Sequence, residues 1–474
     1  MNNYTLLLLL LCLALTCCQK ADPGFEERLT TLRGTIDQLG QEDLYSGVVL
    51  LTRGDETLLE EAYGLADQKS KEAIGLDTKF NLASMNKMFT AVAIMQLRES
   101  GKLGLQDLVG QHLPDYPDIS VRDSVTIEQL LTHTSGLGDF FNEKFEQREP
   151  ASVRTLDDYH SLFVGDPLNF KPGEGFAYSN AGYIVLGLII EQIAGRNYYD
   201  HIKEEIFIPL AMNDSGWGHS DTIVPGLAKA YVQRDSLGFW QENPYLAIKG
   251  SSAGGGFSTV GDLSKFVKAL KSNSLVSANT LAEMTDDRFE NGYGYGFSLR
   301  ELNGWKVYGH NGGFPGVSGE VDIFDQDDLV AISLSNRGPR SGWATMRSHL
   351  REAIVGKTEE SQSFQRAEQV VATYEAEGQP AALALAESFA GELDERQLIH
   401  HSEQYYEAGE RLKGIDILEI VVQSFPESWF PVSIMADLQI EGGDTTTAVA
   451  NYKKSLALNP DNRWATDRLK ELGE

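Results

Sequence analysis

The order of strand-like and helix-like segments is the sequence feature that most limits how this chain can fold. Residues 46–64 (SGVVLLTRGDETLLEEAYG) predict two strands around a tight turn. Three further strand-like runs, WKVYGH, VSGEVDIF and LVAISLSN, follow one another between residues 305 and 336. The sequence between these two groups is mostly helical, and helices are also predicted at 25–40 and 341–355. Because strands and helices do not alternate, we expect an α+β fold, with one antiparallel sheet flanked by helices and a helical subdomain.

A separate, all-α part is predicted after this unit. Residues 357–365 are polar and predict a linker, and residues 366–474 look helical throughout. Gly409 and Gly443 lie 34 residues apart, as do Pro426 and Pro460. A period of this length, in helix–turn–helix units that end in proline, is typical of tetratricopeptide repeats. Two repeats are visible and 366–395 can supply a degenerate third, whereas a non-repeating helical bundle is the alternative.

Length and charge limit the classes of function that the chain can have. Its 474 residues correspond to two or three structural units, and 42% hydrophobic residues are enough for a sizeable core. The 69 acidic and 40 basic side chains give a formal net charge of −29. A chain this acidic repels the phosphate backbone, so we expect no nucleic-acid partner.

The N-terminus predicts export. MNNYTLLLLLLCLALTCCQK contains an apolar run from Leu6 to Leu15, which is short for a membrane span and suits the core of a signal peptide. The run closes on LTCC, which resembles a bacterial lipoprotein signal, with residues 1–18 as the signal and Cys18 as the lipidated residue. Cys17 is the alternative lipidation site. A plain secretory signal is the alternative to a lipoprotein signal, because the first five residues contain no Lys or Arg.

Cysteine usage and hydropathy complete this prediction. All three cysteines, Cys12, Cys17 and Cys18, lie in the first eighteen residues, so no disulfide or cysteine metal site is expected in the rest of the chain. No later segment is long and apolar enough to span a membrane. We therefore expect an exported protein of the bacterial cell envelope or periplasm, attached to the membrane by a lipid alone.

Ser84 and Lys87 are the first candidates for chemistry. They lie at the start of NLASMNKMFTAVAIMQL, whose apolar residues recur at nearly helical spacing and predict a buried helix. Side chains at positions i and i+3 of a helix are neighbours, and a neighbouring base can take the proton of a serine hydroxyl. The start of a helix also supplies free N–H groups for a developing oxyanion. The alternative is a serine cap followed by a surface lysine.

Two downstream stretches carry further polar groups. GFAYSNAGYIVLG places Tyr178 and Asn180 directly before an apolar helix. Tyr178 can shuttle protons beside a lysine and Asn180 can hold a substrate amide, although a capped helix with a packed tyrosine would explain this stretch on its own. YGHNGGFPGVSGEV places His310-Asn311-Gly312-Gly313 at the end of a predicted strand. Glycines there let a ligand approach the backbone, and one N–H of this run can be a second oxyanion donor.

Together these stretches resemble the motifs of the serine β-lactamase and penicillin-binding-protein superfamily. The S-x-x-K motif matches Ser84-Met85-Asn86-Lys87, Y-x-N matches Tyr178-Ser179-Asn180, and the K/H-x-G strand matches His310-Asn311-Gly312. LLTHTSGL, PGEGFAYSN, GGFSTVGDL and the LSN that ends at Asn336 look like the branch related to class C β-lactamases. The resemblance covers roughly residues 25–356 and implies a β-lactamase/transpeptidase-like fold for this domain.

The resemblance implies a role for each matched residue. Ser84 would be the acylated nucleophile, and Lys87 would accept its proton. Tyr178 would share this role and return the proton to the leaving group, and which of the two is the base stays open. Asn180 would bind the amide on the acyl side of the substrate. The backbone N–H groups of Ser84 and Gly313 would form the oxyanion hole.

The same resemblance assigns His310, Asn311 and Gly312 to a substrate-binding strand. His310 stands where class C β-lactamases typically have a lysine, and histidine is more typical of D,D-peptidases and esterase-like members. A neutral imidazole binds a substrate carboxylate less well than lysine or arginine does. We therefore do not expect efficient antibiotic hydrolysis.

Other motifs have a structural explanation. Gly250-Ser251-Ser252-Ala253-Gly254 matches G-x-S-x-G of α/β-hydrolases, but that motif needs a strand directly before the serine and a helix directly after it. We expect this loop to line the cleft without a catalytic Ser252. His133 predicts a hydrogen-bonded interior histidine, and His400-His401 predicts surface residues on two faces of a helix. No H-x-H-x-D or H-E-x-x-H spacing occurs, so neither a metal nor a cofactor is expected.

The sequence therefore predicts an exported serine hydrolase that forms an acyl-enzyme at Ser84 on an amide or an ester. D,D-peptidase, D-aminopeptidase and esterase activities are compatible with the motifs, with at most weak β-lactamase activity. The alternative is a catalytically vestigial platform whose repeat domain binds a protein partner, although the intact set of Ser84, Lys87 and Tyr178 argues against it. In a third reading, the repeats bring a peptide or protein partner to an active enzyme.

Overall fold

The computed structural model describes six stretches of the chain, namely residues 24–219, 222–234, 239–243, 249–338, 342–389 and 391–474. The predicted signal segment 1–18, with Cys18 and Cys17, lies outside the described residues and stays a prediction. Within these stretches, no helix combines the length and the apolar character that crossing a membrane requires.

A six-stranded antiparallel sheet forms the centre of the first part of the chain. The strands are β1 (Gly47–Arg53), β2 (Glu56–Tyr63), β3 (Leu65–Asp67), β4 (Glu72–Ala73), β5 (Phe80–Asn81), β6 (Tyr231–Arg234), β7 (Trp240–Glu242), β8 (Phe257–Ser258), β9 (Ser298–Leu302), β10 (Trp305–Phe314), β11 (Val317–Phe324) and β12 (Leu329–Ser335). The main sheet has the order β2-β1-β12-β11-β10-β9, and β3-β4, β5-β8 and β6-β7 form separate pairs. The predicted strands are β1, β2 and β10 to β12, and the expected α+β fold with one antiparallel main sheet is confirmed.

Helices cover both faces of the main sheet. They are α1 (Phe25–Gln41), α2 (Lys87–Glu99), α3 (Val109–His112), α4 (Ile119–Arg122), α5 (Ile127–Leu131), α6 (Glu143–Gln147), α7 (Leu156–Phe163), α8 (Asn180–Ala194), α9 (Tyr198–Ile202), α10 (Val260–Lys271), α11 (Ala278–Met284) and α12 (Gly342–Val355). In β1, Val48 and Leu50 pack with α2 and α8, whereas Val49 and Leu51 pack with α1 and α12. Because side chains alternate along a strand, this pattern places a core on each face.

A buried ionic cluster ties the sheet to α12. Glu320 and Asp322 of β11 are both buried, and both accept hydrogen bonds of 2.8 Å from the guanidinium group of Arg351 in α12. Arg300 of β9 also contacts the two carboxylates, at 2.8 and 3.1 Å. Paired in this way, the buried charges avoid the large penalty of an isolated buried ion.

The C-terminal part of the chain is all helical, as expected. Its helices are α13 (Glu359–Glu377), α14 (Gln379–Ser388), α15 (Glu395–Glu407), α16 (Arg411–Ser424), α17 (Phe430–Glu441), α18 (Thr445–Leu458) and α19 (Arg463–Glu471). The core of this region includes Leu398, Ile417, Leu418 and Val421.

Two local predictions are wrong. The segment 357–365 is not a linker between two parts of the chain, because Thr358 caps α13 and Phe364 of that helix is buried. Its polar residues start a helix whose apolar face packs on the next helices. His400 and His401 are buried rather than on the surface, since both rings pack against Phe364.

Candidate active site

Ser84 lies on a tight turn at the start of α2. The turn Ala83–Asn86 is 3₁₀-helical and leads directly into α2. Ala83 has a φ of 42°, which side-chain-bearing residues rarely adopt. The Asn81 side chain accepts a hydrogen bond from the Ala83 N–H (2.8 Å), and the Gly255 N–H donates to the Ala83 C=O (3.1 Å). These bonds hold a strained corner that turns the Ser84 side chain into a cleft.

The helix behind Ser84 is buried on all sides over its first nine residues, 87–95. Met85, Met88, Phe89, Val92, Ala93 and Leu97 are all buried, as their spacing predicted. Lys87, the first residue of α2, is also fully buried. The alternative of a surface lysine is therefore wrong.

The hydrogen bonds of Lys87 suit a neutral amine. Its Nζ lies 2.7 Å from Asn180 Oδ1, 2.7 Å from the Ala253 C=O and 3.2 Å from Ser84 Oγ. Burial lowers the pKa of Lys87 from 10.5 to about 7, and the charge of Asp139 acts in the opposite direction. A neutral amine has two N–H groups and one lone pair, so the two carbonyl oxygens can take the N–H groups. The lone pair is then left for the Ser84 hydroxyl, which is the arrangement that a general base needs.

Asn180 is fixed from both sides. It begins α8, which Ser179 caps by accepting a hydrogen bond from the Gly182 N–H at 3.0 Å. Its Oδ1 accepts from Lys87, and its Nδ2 donates to Asp139 Oδ2 at 2.7 Å. The amide orientation follows from these two partners, and one N–H of Nδ2 is left to face a substrate carbonyl. Asp139 was not predicted, because it lies 41 residues before Asn180 and matches no motif.

Tyr178 stands beside Ser84 with its ring packed on His133. The two ring centroids are 4.2 Å apart, and Lys87 Nζ lies 4.7 Å from the centroid of the tyrosine ring. Although 40% of Tyr178 is exposed, the burial of its surroundings raises its pKa, and the Ser84 hydroxyl acts in the opposite direction. Tyr178 is therefore a neutral phenol at neutral pH, able to donate a proton.

His133 is the hydrogen-bonded interior histidine that was predicted. It is fully buried, and its Nδ1 accepts a hydrogen bond from the Ser179 N–H at 3.0 Å. Burial lowers its pKa well below the ordinary value, and the nearby Lys87 acts in the same direction. A neutral His133 holds both the turn before α8 and the face of Tyr178.

His310 does not offer a free nitrogen to a substrate. Burial lowers its pKa to about 3, with a further contribution from Lys87, so the ring is neutral. Nδ1 lies 2.5 Å from the Asn311 C=O, and Nε2 lies 2.9 Å from the Tyr293 hydroxyl. The proton must therefore be on Nδ1, and Nε2 accepts from Tyr293. His310 lines the cleft, but these two bonds do not support direct binding of a substrate carboxylate by its imidazole.

The end of β10 presents a free edge to the cleft. β9 pairs only with Trp305–Gly309, through the turn at Asn303 and Gly304. The N–H and C=O groups of successive residues in a strand point to alternate edges. The groups that point towards β9 belong to every second residue, and beyond Gly309 this series continues with Asn311 and Gly313. Since β9 ends before them, their N–H groups and the Gly313 C=O face the cleft, whereas the Asn311 C=O accepts from His310 Nδ1. The Gly313 N–H can then serve with the Ser84 N–H as an oxyanion hole, as the resemblance implied.

Gly312 allows this edge to lie close to Ser84. A Cβ atom at Gly312 would come within 2.1 Å of the Leu82 carbonyl oxygen, two residues before the serine. Only glycine lets the strand and the turn that carries Ser84 touch at this point. The role of Gly312 is therefore close backbone packing.

The cleft has two lobes that meet at Ser84. One lobe, of about 690 Å³, is here called the wide lobe, and the other, of about 240 Å³, the aromatic lobe. The wide lobe is lined by Val232, Tyr293, Ser298, His310, Asn311, Pro315, Gly316 and Gly338. The aromatic lobe is lined by Asn81, Ala83, Phe140, Phe141, Tyr159, Asn180, Gly250, Ser251, Ala253, Gly254 and Gly255. Both lobes also touch Tyr178, Gly313 and Phe314.

The glycine-rich loop lines the aromatic lobe, as predicted, but Ser252 does not. Ser252 is fully buried and lies behind the loop, where a Cβ atom added to Gly187 would come within 2.4 Å of its Oγ. It has no access to the cleft. The G-x-S-x-G match is therefore a coincidence of sequence.

Comparison with known proteins agrees with this geometry. A family model described as beta-lactamase matches residues 32–354. Penicillin-binding protein 4* of Bacillus subtilis (strain 168) is 30% identical over 331 residues, which are 65% of this chain and 71% of that protein. Protein flp of Staphylococcus aureus (strain NCTC 8325 / PS 47) is 32% identical over 189 residues, and the match spans only 38% of each chain.

Solved structures share the fold. A penicillin-binding protein from Bacillus halodurans superposes with a TM-score of 0.61 at 29% identity, over 68% of this chain and 98% of that one. A D-amino acid amidase from Ochrobactrum anthropi SV3, complexed with L-phenylalanine, gives a TM-score of 0.59 at 25% identity, over 69% and 98% of the two chains. The family match ends before the C-terminal helices begin. With its S-x-x-K turn, its Y-x-N helix start and its matching sheet, the chain belongs to the beta-lactamase family, within the superfamily of penicillin-binding-protein-like serine hydrolases.

Proposed function

We propose that the protein hydrolyses an amide or an ester through an acyl-enzyme formed on Ser84. The observation that carries the proposal is the bonding of Lys87. Two carbonyl acceptors at 2.7 Å leave the lone pair of the neutral amine for the Ser84 hydroxyl. With a pKa of about 7, a large share of Lys87 is ready to accept a proton at neutral pH.

The reaction follows from the positions of these groups. Lys87 Nζ takes the Ser84 proton while Oγ bonds to the substrate carbonyl carbon, and the oxyanion meets the N–H groups of Ser84 and Gly313. The bond from that carbon to the leaving nitrogen or oxygen then breaks. Tyr178 donates its proton to the leaving group and is reprotonated from the Lys87 ammonium. Water attacks the acyl-enzyme, the acid leaves, and the Ser84 hydroxyl is restored.

The pKa values of Lys87 and Tyr178 are shifted in opposite directions, which supports different roles in proton transfer for the two residues. Burial lowers the pKa of the lysine and raises that of the phenol. At neutral pH the lysine is the better base and the tyrosine is the better acid. Lys87 is therefore the base of the acylation step, and Tyr178 is the acid.

The lining of the cleft favours substrates without a carboxylate near the reacting bond. Among the residues that the structure describes, no lysine or arginine lines either lobe. His310 is neutral with both nitrogens engaged, so it adds no positive charge. A D,D-carboxypeptidase or β-lactam substrate would bring a carboxylate to this region, where nothing would balance it. Amide, aminopeptidase-type and ester substrates fit better.

The two lobes suggest how such a substrate lies. Phe140, Phe141 and Tyr159 in the aromatic lobe offer an apolar site of about 240 Å³ beside Asn180, suited to a compact aromatic or aliphatic acyl group. The wide lobe, of about 690 Å³, takes the larger leaving group. The similar D-amino acid amidase from Ochrobactrum anthropi SV3 has been solved in complexes with L-phenylalanine and D-phenylalanine, which makes amides of aromatic D-amino acids the first substrates to try.

The central experiment compares Ser84→Ala with Ser252→Ala. We expect the first variant to lose hydrolysis of p-nitrophenyl acetate and labelling by a fluorophosphonate probe, and the second to keep both. Mass spectrometry of the labelled protein should place the adduct on Ser84. Full activity of Ser84→Ala, or an adduct elsewhere, would refute the assignment.

A substrate panel then separates the activity types. It contains D-phenylalanine amide, L-phenylalanine amide, p-nitrophenyl acetate, a dipeptide of D-alanine and a chromogenic cephalosporin. We expect the amide or the ester to be turned over well, and the last two compounds slowly. Faster turnover of the dipeptide or the cephalosporin would contradict the argument from the missing positive charge.

Two further features extend the proposal beyond the catalytic domain. We infer that the C-terminal helices form tetratricopeptide-like hairpins, because α16 and α18 start 34 residues apart, at Arg411 and Thr445, and have 14 residues each. We also infer export and lipid attachment at Cys18. Metabolic labelling with palmitate should mark the wild type and not Cys18→Ser, whereas labelling of both proteins would point to Cys17 as the lipidated residue.

A further inference from the structure

A second groove lies beside the catalytic cleft, between β6 and the C-terminal helices. It has a volume of about 450 Å³ and is here called the helical groove. It is lined by Val232 and Gln233 of β6, Glu403 and Tyr406 of α15, Phe430, Ile434, Asp437, Leu438 and Glu441 of α17, and Trp464 of α19. No part of the proposed reaction uses this groove.

The helical groove combines an apolar floor with acidic side chains. Ile434 and Leu438 are buried in the core of the helical region, and the rings of Phe430 and Trp464 lie 6.2 Å apart beside them. Three of the ten lining residues are acidic, and the described lining contains no lysine or arginine. Such a surface complements a ligand with apolar side chains and a positive charge.

The carboxylates of the groove are held by their neighbours. Glu441 accepts a hydrogen bond from the Tyr406 hydroxyl. Asp437 accepts one from the Tyr452 hydroxyl and forms a salt bridge of 3.2 Å with Arg468, which balances its charge, so Glu441 supplies the negative charge for a cation. Ordered carboxylates of this kind lose less freedom when they bind a cation.

The helical groove lies next to the wide lobe of the cleft. Val232 lines both the groove and the wide lobe, so β6 is the wall that the two share. A ligand that crosses this strand can occupy both spaces at once. Because the wide lobe takes the leaving group, the part of a ligand that reaches the groove belongs to the leaving-group side.

We propose that the helical groove binds the distal part of an extended peptide leaving group, through one apolar or aromatic side chain and one lysine or arginine. The proposal rests on the proposed function, because it takes Ser84 as the reacting end. A peptide is the class of ligand that supplies apolar side chains and a cation on a backbone narrow enough to cross a strand. The helical region is then a subsite of the enzyme, selecting long cationic peptides over short neutral ones.

Binding is tested on the full-length Ser84→Ala protein, so that no turnover interferes. The probe is a fluorescein-labelled decapeptide of alternating lysine and leucine, measured by fluorescence anisotropy against a matched peptide of glutamate and leucine. We expect the lysine peptide to bind and the glutamate peptide not to bind. Equal binding of the two peptides, or binding of neither, would overturn the proposal.

Variants then place the binding in the groove. Trp464→Ala removes the largest aromatic side chain and should weaken binding about tenfold or more. Glu441→Gln keeps the acceptor for Tyr406, removes one charge, and should weaken binding about two- to fivefold. Glu387→Gln is the matched control, because this exposed carboxylate of α14 does not line the groove. Equal losses in Glu441→Gln and Glu387→Gln would indicate a general effect of net charge and refute the site.

Turnover by the otherwise wild-type protein links the groove to Ser84. The same variants are compared on p-nitrophenyl acetate and on a D-phenylalanyl peptide whose leaving group carries the lysine–leucine sequence. We expect Trp464→Ala to raise KM for the peptide and to leave ester hydrolysis unchanged. Ester hydrolysis alone tests the role of Ser84, and peptide binding alone tests the groove. If the peptide binds in the groove but Trp464→Ala and the wild type have the same KM for it, the groove is not a subsite of the enzyme.

Discussion

Asp139→Asn tests the electrostatics that prepare Lys87 for catalysis. Asp139 does not contact Lys87 directly. It accepts a hydrogen bond from the amide nitrogen of Asn180, and the amide oxygen of Asn180 accepts a hydrogen bond from Lys87. Its negative charge favours the protonated form and raises the pKa of Lys87 against the larger effect of burial. An asparagine at this position can still accept the hydrogen bond from Asn180, so the substitution removes charge and keeps the geometry.

The size of the effect follows from the two hydrogen bonds. Each is 2.7 Å long, and with one amide group between them the charges lie at most about 8 Å apart. At an effective dielectric constant of about 20, this separation corresponds to about 2 kcal/mol, or about 1.5 pKa units. The pKa of Lys87 should therefore fall from about 7 to below 6. Since the base must be neutral, the acidic limb of the rate profile should move to lower pH by the same amount.

The assay is the second-order rate of Ser84 labelling by a fluorophosphonate probe, from about pH 4 to about pH 9. This rate reports the free enzyme and involves no substrate carboxylate. Asp115→Asn serves as the control, because Asp115 is exposed and lies outside the cleft lining. An acidic limb that stays in place in Asp139→Asn, or that moves as far in the control, would refute the role of Asp139.

Three further substitutions test separate parts of the structure. Tyr178→Phe should lower kcat/KM for amides by about 10²–10⁴, with an unchanged melting temperature, because it removes only a proton donor. Gly312→Ala places a Cβ atom 2.1 Å from a carbonyl oxygen and should lower the unfolding free energy by about 1–3 kcal/mol. Gly75→Ala, with no neighbour within 4 Å, is its control. Arg351→Met leaves two buried carboxylates under-paired and should cost about 3–5 kcal/mol in urea unfolding, whereas a loss below about 1 kcal/mol would contradict the structure.

The parts of the fold that could be predicted have a strong local signal. β1, β2 and β10 to β12 have seven or more residues, and three of them, β1, β11 and β12, are buried along nearly their whole length, so apolar residues are dense in these stretches of the sequence. β4, β5 and β8 have two residues each, which is too short for any periodic pattern. The pairing of β5 with β8 also depends on a contact between distant segments, Phe80 with Ser258. The wrong prediction of a linker at 357–365 also comes from contacts that are distant in sequence, because only the tertiary contacts of Phe364 show that this polar segment is packed.

The candidate site was predictable where one stretch of chain carries the spacing. Ser84 and Lys87 are three residues apart, and Tyr178 and Asn180 are two apart, so each pair forms its own motif. Asp139 and Tyr293 reach the site only through the fold, and neither stands in a motif of its own. The imidazole of His310 was expected to meet the substrate, but its bond to Tyr293 depends on a neighbour 17 residues away. A motif identifies a residue, but it does not show which atoms of that residue are already hydrogen-bonded within the fold.

The burial of Lys87 is itself an argument for catalysis. A pKa of about 7 in place of 10.5 means that, between these pH values, the unfolded chain binds a proton that the folded chain does not. Folding is therefore opposed by about 4–5 kcal/mol at pH 7 and below, and this penalty disappears as the pH rises towards 10.5. The position at the start of α2 adds to it, because the positive end of a helix dipole disfavours an ammonium. The three hydrogen-bond partners carry no charge that would offset the cost. A buried apolar side chain would stabilise the fold at this position, so only the chemistry of a neutral amine beside Ser84 gives the lysine a purpose there.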